Sequence, residues 1–187
     1  MTEVTFFRNF NIVIGQGDLK GVFVQIRRGD FAREVQSLRQ MLAAGDMVGY
    51  NNAKKALIAI TCMATFNGGR KNEYRTGYSK VIVLDVDKLS PEELARAKKI
   101  VIGCPHTLGC FISPSGNGLK IFISVASGPE DHLNAFQSLQ RFFQKLIGSE
   151  IDPSGKDITR LCFVSDDPEA YYNENAVVYD WKRAVKN

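Results

Sequence analysis

The sequence predicts an α+β fold from three segments in the second half of the chain. Residues 81–86 form a nearly continuous apolar run, which is typical of a strand buried on both faces and therefore central in its sheet. Ser90, Pro91 and Glu93 make a capping box with proline at the first helical position, so a helix begins there. Residues 119–125 alternate between apolar and polar side chains, which predicts a second strand.

The remaining elements complete a recognisable order. They are a strand at 108–113, a tight glycine turn at 114–118, a helix opened by 127–130 and ended by Gly148, a strand at 158–165 and a short strand at 176–179. From about residue 80 to 165 the order is β-α-β-β-α-β, the order of an RRM-like or ferredoxin-like unit.

The first part of the chain predicts a separate α/β lobe at residues 1–75. Its expected elements are strands at 4–14 and 21–27 joined by a turn of Gly15, Gly17 and Gly21, a helix from Asp30 to Gly45, a strand at 56–66 and a loop at 67–79. We expect this lobe to cover the sheet face that does not meet the helices of the RRM-like lobe (76–180). Together they predict one two-lobed domain over residues 1–187.

Composition excludes several classes of protein. The chain has 187 residues, of which 44% are apolar and 24% charged, which is typical of a globular domain and not of a disordered chain. No apolar run approaches the roughly 20 residues that span a bilayer, and the N-terminus does not resemble a secretory signal. The four cysteines form no CxxC pair. We therefore expect a cytoplasmic protein with reduced thiols and no membrane partner.

Three polar clusters follow strands that meet at one edge of the predicted sheet. If the first strand is central and its neighbours are antiparallel, its carboxyl end lies beside the next turn and beside the start of the last strand. The clusters are Asp85 with Asp87, then Ser113, Ser115, Gly116, Gly118 and Lys120, then Asp152, Lys156, Asp157 and Arg160. Because side chains alternate along a strand, Asp85 and Asp87 share a face.

This combination predicts a nucleoside-triphosphate site with a divalent metal. Clustered carboxylates repel one another unless a cation neutralises them, and their hard oxygens suit Mg²⁺ or Mn²⁺. Asp85 and Asp87, together with Asp152 and Asp157 before the last strand, are the candidate carboxylates for this site. A glycine turn offers backbone N–H groups to phosphate, and lysine and arginine bind phosphate directly. The simpler interpretation is a strand end with solvated aspartates and an ordinary hairpin.

A polar loop before the first aspartate is a candidate nucleic-acid contact. It carries Arg70, Lys71, Tyr74 and Arg75, a mixture that could follow a phosphate backbone and stack bases. The other basic pairs, which include Lys54-Lys55 and Lys98-Lys99, are interpreted as solvated faces. The net charge of +4 permits a nucleotide or nucleic-acid partner without requiring one.

Three segments also resemble a known family. Residues 81–87 (VIVLDVD), 111–120 (FISPSGNGLK) and 151–168 (IDPSGKDITRLCFVSDDP) resemble the VirE-N-like (BT4734-like) domain. That domain often precedes a helicase and is similar to the archaeo-eukaryotic primase–polymerase superfamily. The resemblance covers roughly residues 50–180.

The resemblance implies a primase–polymerase-like nucleotidyltransferase in DNA replication of a mobile element, with a helicase as partner or fused domain. By this resemblance Asp85 and Asp87 match the first metal-binding motif, and Asp152 resembles the third carboxylate. The resemblance therefore implies that these three are the catalytic residues and metal ligands. Ser115 matches the serine of the second motif. Lys120 stands near the position where that motif has a nucleotide-contacting histidine, so the sequence departs from the pattern there.

Other functions remain open at this point. A catalytically inactive nucleic-acid-binding or recruitment module would carry the same basic groups. Asp85-Val-Asp87 also resembles the opening motif of haloacid-dehalogenase-like phosphatases, which require a longer parallel sheet. Cys104, His106, Cys110 and Cys162 offer four zinc-binding side chains, although without a CxxC knuckle.

Overall fold

The computed structural model describes residues 2–184 and has a mixed α+β architecture. Met1 and residues 185–187, which the predicted domain includes, lie outside the described residues. The strands are β1 (Glu3–Arg8), β2 (Ile12–Asp18), β3 (Ala59–Thr61), β4 (Ala64–Phe66), β5 (Arg75–Tyr78), β6 (Val81–Val86), β7 (Thr107–Ile112), β8 (Leu119–Ser124), β9 (Cys162–Phe163) and β10 (Tyr171–Tyr172). The helices are α1 (Leu19–Arg28), α2 (Ala32–Ala43), α3 (Met47–Ala56), α4 (Pro91–Gly103), α5 (His132–Ile147) and α6 (Trp181–Ala184).

The strands form three antiparallel sheets. The first has the order β2-β1-β3-β9, the second has the order β10-β7-β8-β6, and β4 pairs with β5. In the second sheet β6 pairs with β8 so that Asp85 lies opposite Lys120 and Val86 opposite Leu119. The helix predicted at 90–93 begins as expected: the Ser90 side chain accepts from the Glu93 backbone, and the Glu93 carboxylate accepts from the Ser90 backbone.

The predicted position of β6 at the centre of its sheet is wrong, because β6 is an edge strand. The segment expected to close the RRM-like unit, 158–165, is reduced to β9, which pairs with β3 in the other sheet. A 3-10 turn at Pro153–Lys156 follows Asp152 beside β6, and the Asp152 backbone donates to the Asp85 carbonyl at 2.8 Å. Since proline has no N–H and the turn curls the chain, no strand continues along β6.

The N-terminal elements also differ from expectation. Residues 21–27 belong to helix α1 and not to a strand, because the buried side chains of Leu19, Val22, Phe23 and Ile26 recur at helical spacing. The hairpin turn joins β1 to β2 at residues 9–11, where Phe10 has a φ of 69°. The glycines at 15 and 17 instead lie within β2.

Several elements differ from those that the sequence predicts. Helix α3 was not predicted, although Asp46 caps it by accepting from the Gly49 backbone at 2.8 Å. The strand expected at 56–66 divides into β3 and β4, and β5 lies inside the expected loop. The strand expected at 176–179 is only a bridge between Val125 and Tyr179. Asp30 does not cap α2, since its carboxylate pairs with Arg28.

The second sheet separates two apolar cores, as side-chain alternation predicts. Ile82, Leu84 and Val86 of β6 pack with α4 and α5 in one core. Val81 and Val83 face the opposite core, which contains α1, α2 and β3 side chains from the first part of the chain. Side chains from the first part of the chain therefore cover this second face.

The described helices include none that is long and apolar enough to cross a membrane.

Candidate functional site

The carboxylates of Asp85, Asp87 and Asp152 lie together at the carboxyl end of β6. Each offers an oxygen, and these three oxygens lie within 4.8 Å of one another. Asp85 is the last charged side chain of β6, Asp87 follows the strand, and Asp152 is brought alongside by its backbone hydrogen bond to Asp85. The predicted convergence therefore occurs, although the strand that was expected to bring Asp152 there does not form.

The two carboxylate oxygens of Asp85 have different surroundings. Its Oδ2 accepts from Lys120 Nζ, and both side chains are 13% exposed. Its Oδ1 is buried without a hydrogen-bond partner among the described residues. Burial raises the pKa of Asp85, and the neighbouring Asp87 raises it further, against the attraction of Lys120. A cation at Oδ1 would relieve this unfavourable burial.

Lys120 stays charged although it is buried. Burial alone would lower the pKa of Lys120, but the attractions of Asp85, Cys162 and Asp87 outweigh that effect and raise it. Lys120 therefore supplies a fixed positive charge beside the carboxylates.

Asp152 is held in place by its own turn. The Ser154 backbone donates to Oδ1 at 2.9 Å, the Ser154 hydroxyl donates to Oδ2, and Arg160 Nη2 donates to Oδ2 at 3.1 Å. Burial opposes ionisation, yet these hydrogen bonds and the Arg160 charge lower the pKa of Asp152. The carboxylate is consequently kept ionised with its position defined, and Oδ1, which accepts a single hydrogen bond, retains a further lone pair for a ligand.

The turn at 113–118 packs directly against the aspartates. A Cβ at Gly118 would lie 2.6 Å from the Val86 carbonyl and 3.0 Å from Asp87 Oδ1, so only glycine allows this approach. Gly116 has a φ of 81°, which also favours glycine. The hydroxyls of Ser113 and Ser115 lie 2.8 Å apart, and Ser115 donates to Asn117 Oδ1 at 2.7 Å. These hydroxyls form a short polar chain beside the acidic cluster.

Arg39 of α2 supports the 113–118 turn through hydrogen bonds, a role that the sequence analysis does not predict. Its guanidinium donates to the carbonyls of Pro114 and Ser113, both at 3.3 Å, and to the Asp166 carbonyl at 3.0 Å. No local pattern marks an arginine on an amphipathic helix as the support of a turn 74 residues away.

Several side chains of this site line a single cleft of about 350 Å³. Of the predicted site residues, it is lined by Asp85, Asp87, Ser113, Ser115, Lys120, Arg160 and Arg70. Four predicted residues do not line the cleft: Lys156, which is exposed, Asp152 and Gly116, which are half-buried, and Gly118, which is buried. Of the predicted residues, the cleft therefore combines carboxylates, hydroxyls and three basic side chains.

The loop predicted to contact nucleic acid contributes only Arg70 to the cleft. Arg70 is tied to the protein backbone, because Nε donates to the Phe10 carbonyl at 2.8 Å and Nη1 donates to the Thr159 carbonyl at 2.7 Å. Burial lowers the pKa of Arg70. Lys71, Tyr74 and Arg75 are exposed on the neighbouring surface and do not line the cleft.

The far end of the cleft consists of residues that the sequence did not single out as a site. They are Phe10 at the hairpin tip, Phe163 in β9 and Lys54 in α3. The basic pair Lys54-Lys55 gave a signal, but its interpretation as a solvated face is wrong for Lys54, whose Nζ lies 5.6 Å from the Phe163 ring centre. The same interpretation is wrong for Lys98, which is buried and pairs with Asp167 at 3.0 Å.

The donor set fits a hard divalent cation better than zinc. Within residues 2–184, the aspartate cluster is the one group of three or more such side chains that could hold a metal ion. The cluster offers carboxylate oxygens, the type of ligand that Mg²⁺ or Mn²⁺ prefers, and the Asp85 carboxylate has a buried oxygen, Oδ1, without a hydrogen-bond partner. Cys104, His106, Cys110 and Cys162 do not form such a group, and His106 Nδ1 lies 2.9 Å from the Val177 carbonyl.

Comparison with known proteins gives one match. The family model for the BT4734-like N-terminal domain matches residues 52–172, which is more than half of the chain and contains all three aspartates. Neither a curated protein nor a solved structure gives a significant match. The resemblance seen in the three sequence motifs is confirmed, and the chain belongs to the BT4734-like N-terminal domain family.

Proposed function

We propose that this protein is a divalent-metal-dependent nucleotidyltransferase of the primase–polymerase type, which uses nucleoside triphosphates and nucleic acid. The observation that carries the proposal is the meeting of three carboxylates within 4.8 Å, one of them with an unpartnered buried oxygen. A structural role does not require such a cluster, because uncompensated neighbouring carboxylates repel one another.

Each group at the site has a distinct role in this proposal. Asp85, Asp87 and Asp152 hold Mg²⁺ or Mn²⁺, which when bound activates a 3′-hydroxyl and neutralises the leaving pyrophosphate. Lys120 and Arg160 offer positive charge to the triphosphate, and Ser113 and Ser115 offer hydroxyl donors. Gly118 keeps the turn close enough to Asp87 for these donors and the metal ligands to act on one substrate.

The biological setting is proposed from the family resemblance. The VirE-N-like domain often precedes a helicase, so we propose that the protein acts in DNA replication of a mobile element beside a helicase. The exposed Lys71, Tyr74 and Arg75, next to Arg70, are the proposed approach for nucleic acid.

One observation favours a second candidate, a nucleic-acid-binding or recruitment module without catalysis. Lys120 already neutralises Asp85 within the chain, so the acidic end can be stable without a metal. A module of this kind would bind nucleic acid in the absence of divalent cations.

Metal binding gives the first test. We expect wild-type protein to bind Mn²⁺, measured by loss of the free-ion signal in electron paramagnetic resonance. Asp87→Asn, at an exposed position, should weaken binding by about tenfold or more, because one charged ligand is lost. Glu174→Gln removes a surface carboxylate that also pairs with a lysine and should leave Mn²⁺ affinity unchanged. Equal affinities in all three proteins would refute the metal site.

Nucleotide incorporation gives the second test. Primer extension and de novo synthesis are measured with Mn²⁺ and with Mg²⁺ for the wild type and the Asp85→Ala/Asp87→Ala variant. Incorporation by the wild type alone supports the enzyme. A wild type that binds nucleic acid as well as the variant does, and incorporates nothing, supports the recruitment module.

A further inference from the structure

A second cavity of about 370 Å³ continues from the aromatic end of the cleft. It is lined by Phe10, Asn51, Lys54, Lys55 and Phe163. Three of these residues, Phe10, Lys54 and Phe163, also line the acidic cleft. The two cavities therefore form one path, with carboxylates at one end and aromatic rings with lysines at the other.

The two rings are arranged as a pair but are not enclosed in a core. Phe10 and Phe163 meet edge to face, with ring centres 5.9 Å apart, and both remain half-buried. Phe163 packs at the margin of a core, while Phe10 belongs to none of the core clusters among the described residues. Aromatic surface is thus left available at the mouth of a polar cleft.

Phe10 is held there at a conformational cost. Its φ of 69° is a backbone conformation that bulky residues rarely adopt. The Arg70 guanidinium holds this hairpin tip by donating to the Phe10 carbonyl at 2.8 Å. Backbone strain that neighbouring groups maintain is found preferentially at functional sites and ligand contacts.

Positive charge accompanies the rings. Lys54 Nζ lies 5.6 Å from the Phe163 ring centre and 5.5 Å from the Tyr50 ring centre. Lys55 is exposed at the next position of α3, and Asn51 lies one helical turn earlier. An aromatic surface that stacks a planar ring, an amide that can hydrogen-bond its edge, and lysines for phosphate match the chemistry of a nucleotide.

We propose that Phe10 and Phe163 form a nucleobase-stacking subsite, with Lys54 and Lys55 contacting the attached phosphates. The inference rests on the proposed function, since the acidic end would hold the metal and the reacting phosphates. The base belongs either to a nucleoside triphosphate or to a strand of nucleic acid. The shared chemistry is a stacked base linked to phosphate.

The test compares ligands with and without bases. Affinities of wild type, Phe10→Leu and Phe163→Leu are measured by fluorescence anisotropy for labelled oligothymidylate and for an abasic oligonucleotide of the same length. They are measured by calorimetry for a nucleoside triphosphate and for inorganic tripolyphosphate, each with Mn²⁺. Phe142→Leu is the matched control, because Phe142 is an exposed aromatic of α5 that packs edge to face on Phe143, away from the cleft.

We expect each cleft variant to lose about fivefold or more in affinity for a base-containing ligand, with the abasic ligand and tripolyphosphate unaffected. A loss confined to oligothymidylate identifies the base as part of a strand, and a loss confined to the triphosphate identifies it as the incoming nucleotide. Unchanged affinity for both, or equal losses with and without bases, overturns the subsite.

Mn²⁺ binding separates this failure from failure of the proposed function. If the leucine variants bind Mn²⁺ as the wild type does and also keep full nucleotide affinity, only the stacking subsite is refuted. If the wild type itself binds no Mn²⁺, the proposed metal site fails as well. Circular dichroism of each variant establishes that it is folded before affinities are compared.

Discussion

The two faces of the second sheet use the same strands for different purposes. Towards α4 and α5, β6 presents Ile82, Leu84 and Val86, all buried in an apolar core. Towards the cleft it presents Val81 and Val83 and then, at its carboxyl end, Asp85. One face is apolar throughout, whereas the other changes from apolar to charged within two residues.

This difference indicates that one face contributes mainly to folding stability and the other mainly to ligand binding. The helix-covered face gains free energy from burying apolar surface. The cleft face carries a desolvated carboxylate and a desolvated lysine, and removing charges from water is costly even when they pair. We infer that substitutions on the first face change folding, while substitutions at the charged end change ligand binding.

The largest expected effect on stability is on the helix-covered face. Phe143 of α5 is fully buried, so Phe143→Ala should lower the free energy of unfolding by about 3–5 kcal/mol through lost burial and a cavity. Urea denaturation measures the loss. Mn²⁺ affinity of the folded variant should match that of the wild type. A parallel loss of Mn²⁺ affinity would show that the two faces are not independent.

His132 adds a pH dependence to this face. It begins α5 in a buried position, with Nδ1 3.0 Å from the Tyr78 hydroxyl. Burial lowers the pKa of His132 to about 4, against the attraction of Asp157. Because the unfolded histidine titrates near 6.5, the unfolded state binds more protons between pH 6.5 and 4. Stability should therefore fall by about 3 kcal/mol as the pH falls through this window.

Denaturation curves at several pH values measure this slope for three proteins. His132→Gln should remove the slope attributed to His132, and His106→Gln, at the other histidine of the chain, should retain it. An unchanged slope in His132→Gln would contradict the assignment.

Removing the Asp85–Lys120 pair on the cleft face should stabilise the fold, whereas truncating a core residue destabilises it. Replacing both partners, as Asp85→Leu/Lys120→Met, removes two desolvated charges and should raise the free energy of unfolding by about 1–4 kcal/mol. The same variant should lose Mn²⁺ binding. Calorimetric unfolding and Mn²⁺ titration are compared on one sample. Lower stability together with intact Mn²⁺ binding would show that the pair is structural.

The smallest expected effect concerns the start of α4. Ser90→Ala removes the side-chain acceptor of the capping box and should cost about 1 kcal/mol of stability. Because α4 packs on the helix-covered face, nucleotide and Mn²⁺ affinities should not change. Thermal unfolding and Mn²⁺ titration measure both quantities, and a change in affinity would link α4 to the cleft.

Local sequence patterns predicted an element correctly where the interactions that form it lie within that segment. The capping box at Ser90 and the alternation of β8 depend on neighbours within a few residues, so they could be identified directly. Helix α1 was mistaken for a strand because glycine-flanked apolar residues match both patterns over a short window. The helical spacing of Leu19, Val22, Phe23 and Ile26 was the signal that distinguishes them.

The candidate site was predicted in part. The expectation that strand ends meet grouped Asp85, Asp87 and Asp152, and their oxygens do lie within 4.8 Å. Asp152, however, reaches the others through a backbone hydrogen bond to Asp85 and not through a strand. Arg39 and Phe10 could not be identified in this way. Their positions depend on how α2 and the β1–β2 hairpin pack against distant segments, and no residue near either one in sequence specifies those contacts.

The sequence by itself determined the alternation that places Asp85 on one face of β6 and Leu84 on the other, because side-chain direction along a strand has a period of two. It also predicted a tight glycine turn at 114–118, whereas the close approach of Gly118 to Asp87 is a property of the tertiary structure. Only the tertiary structure decided that β6 lies at a sheet edge and that β9 joins the first sheet, since pairing between strands depends on competing long-range contacts. The same packing placed Phe10, Phe163 and Lys54 at the far end of the cleft.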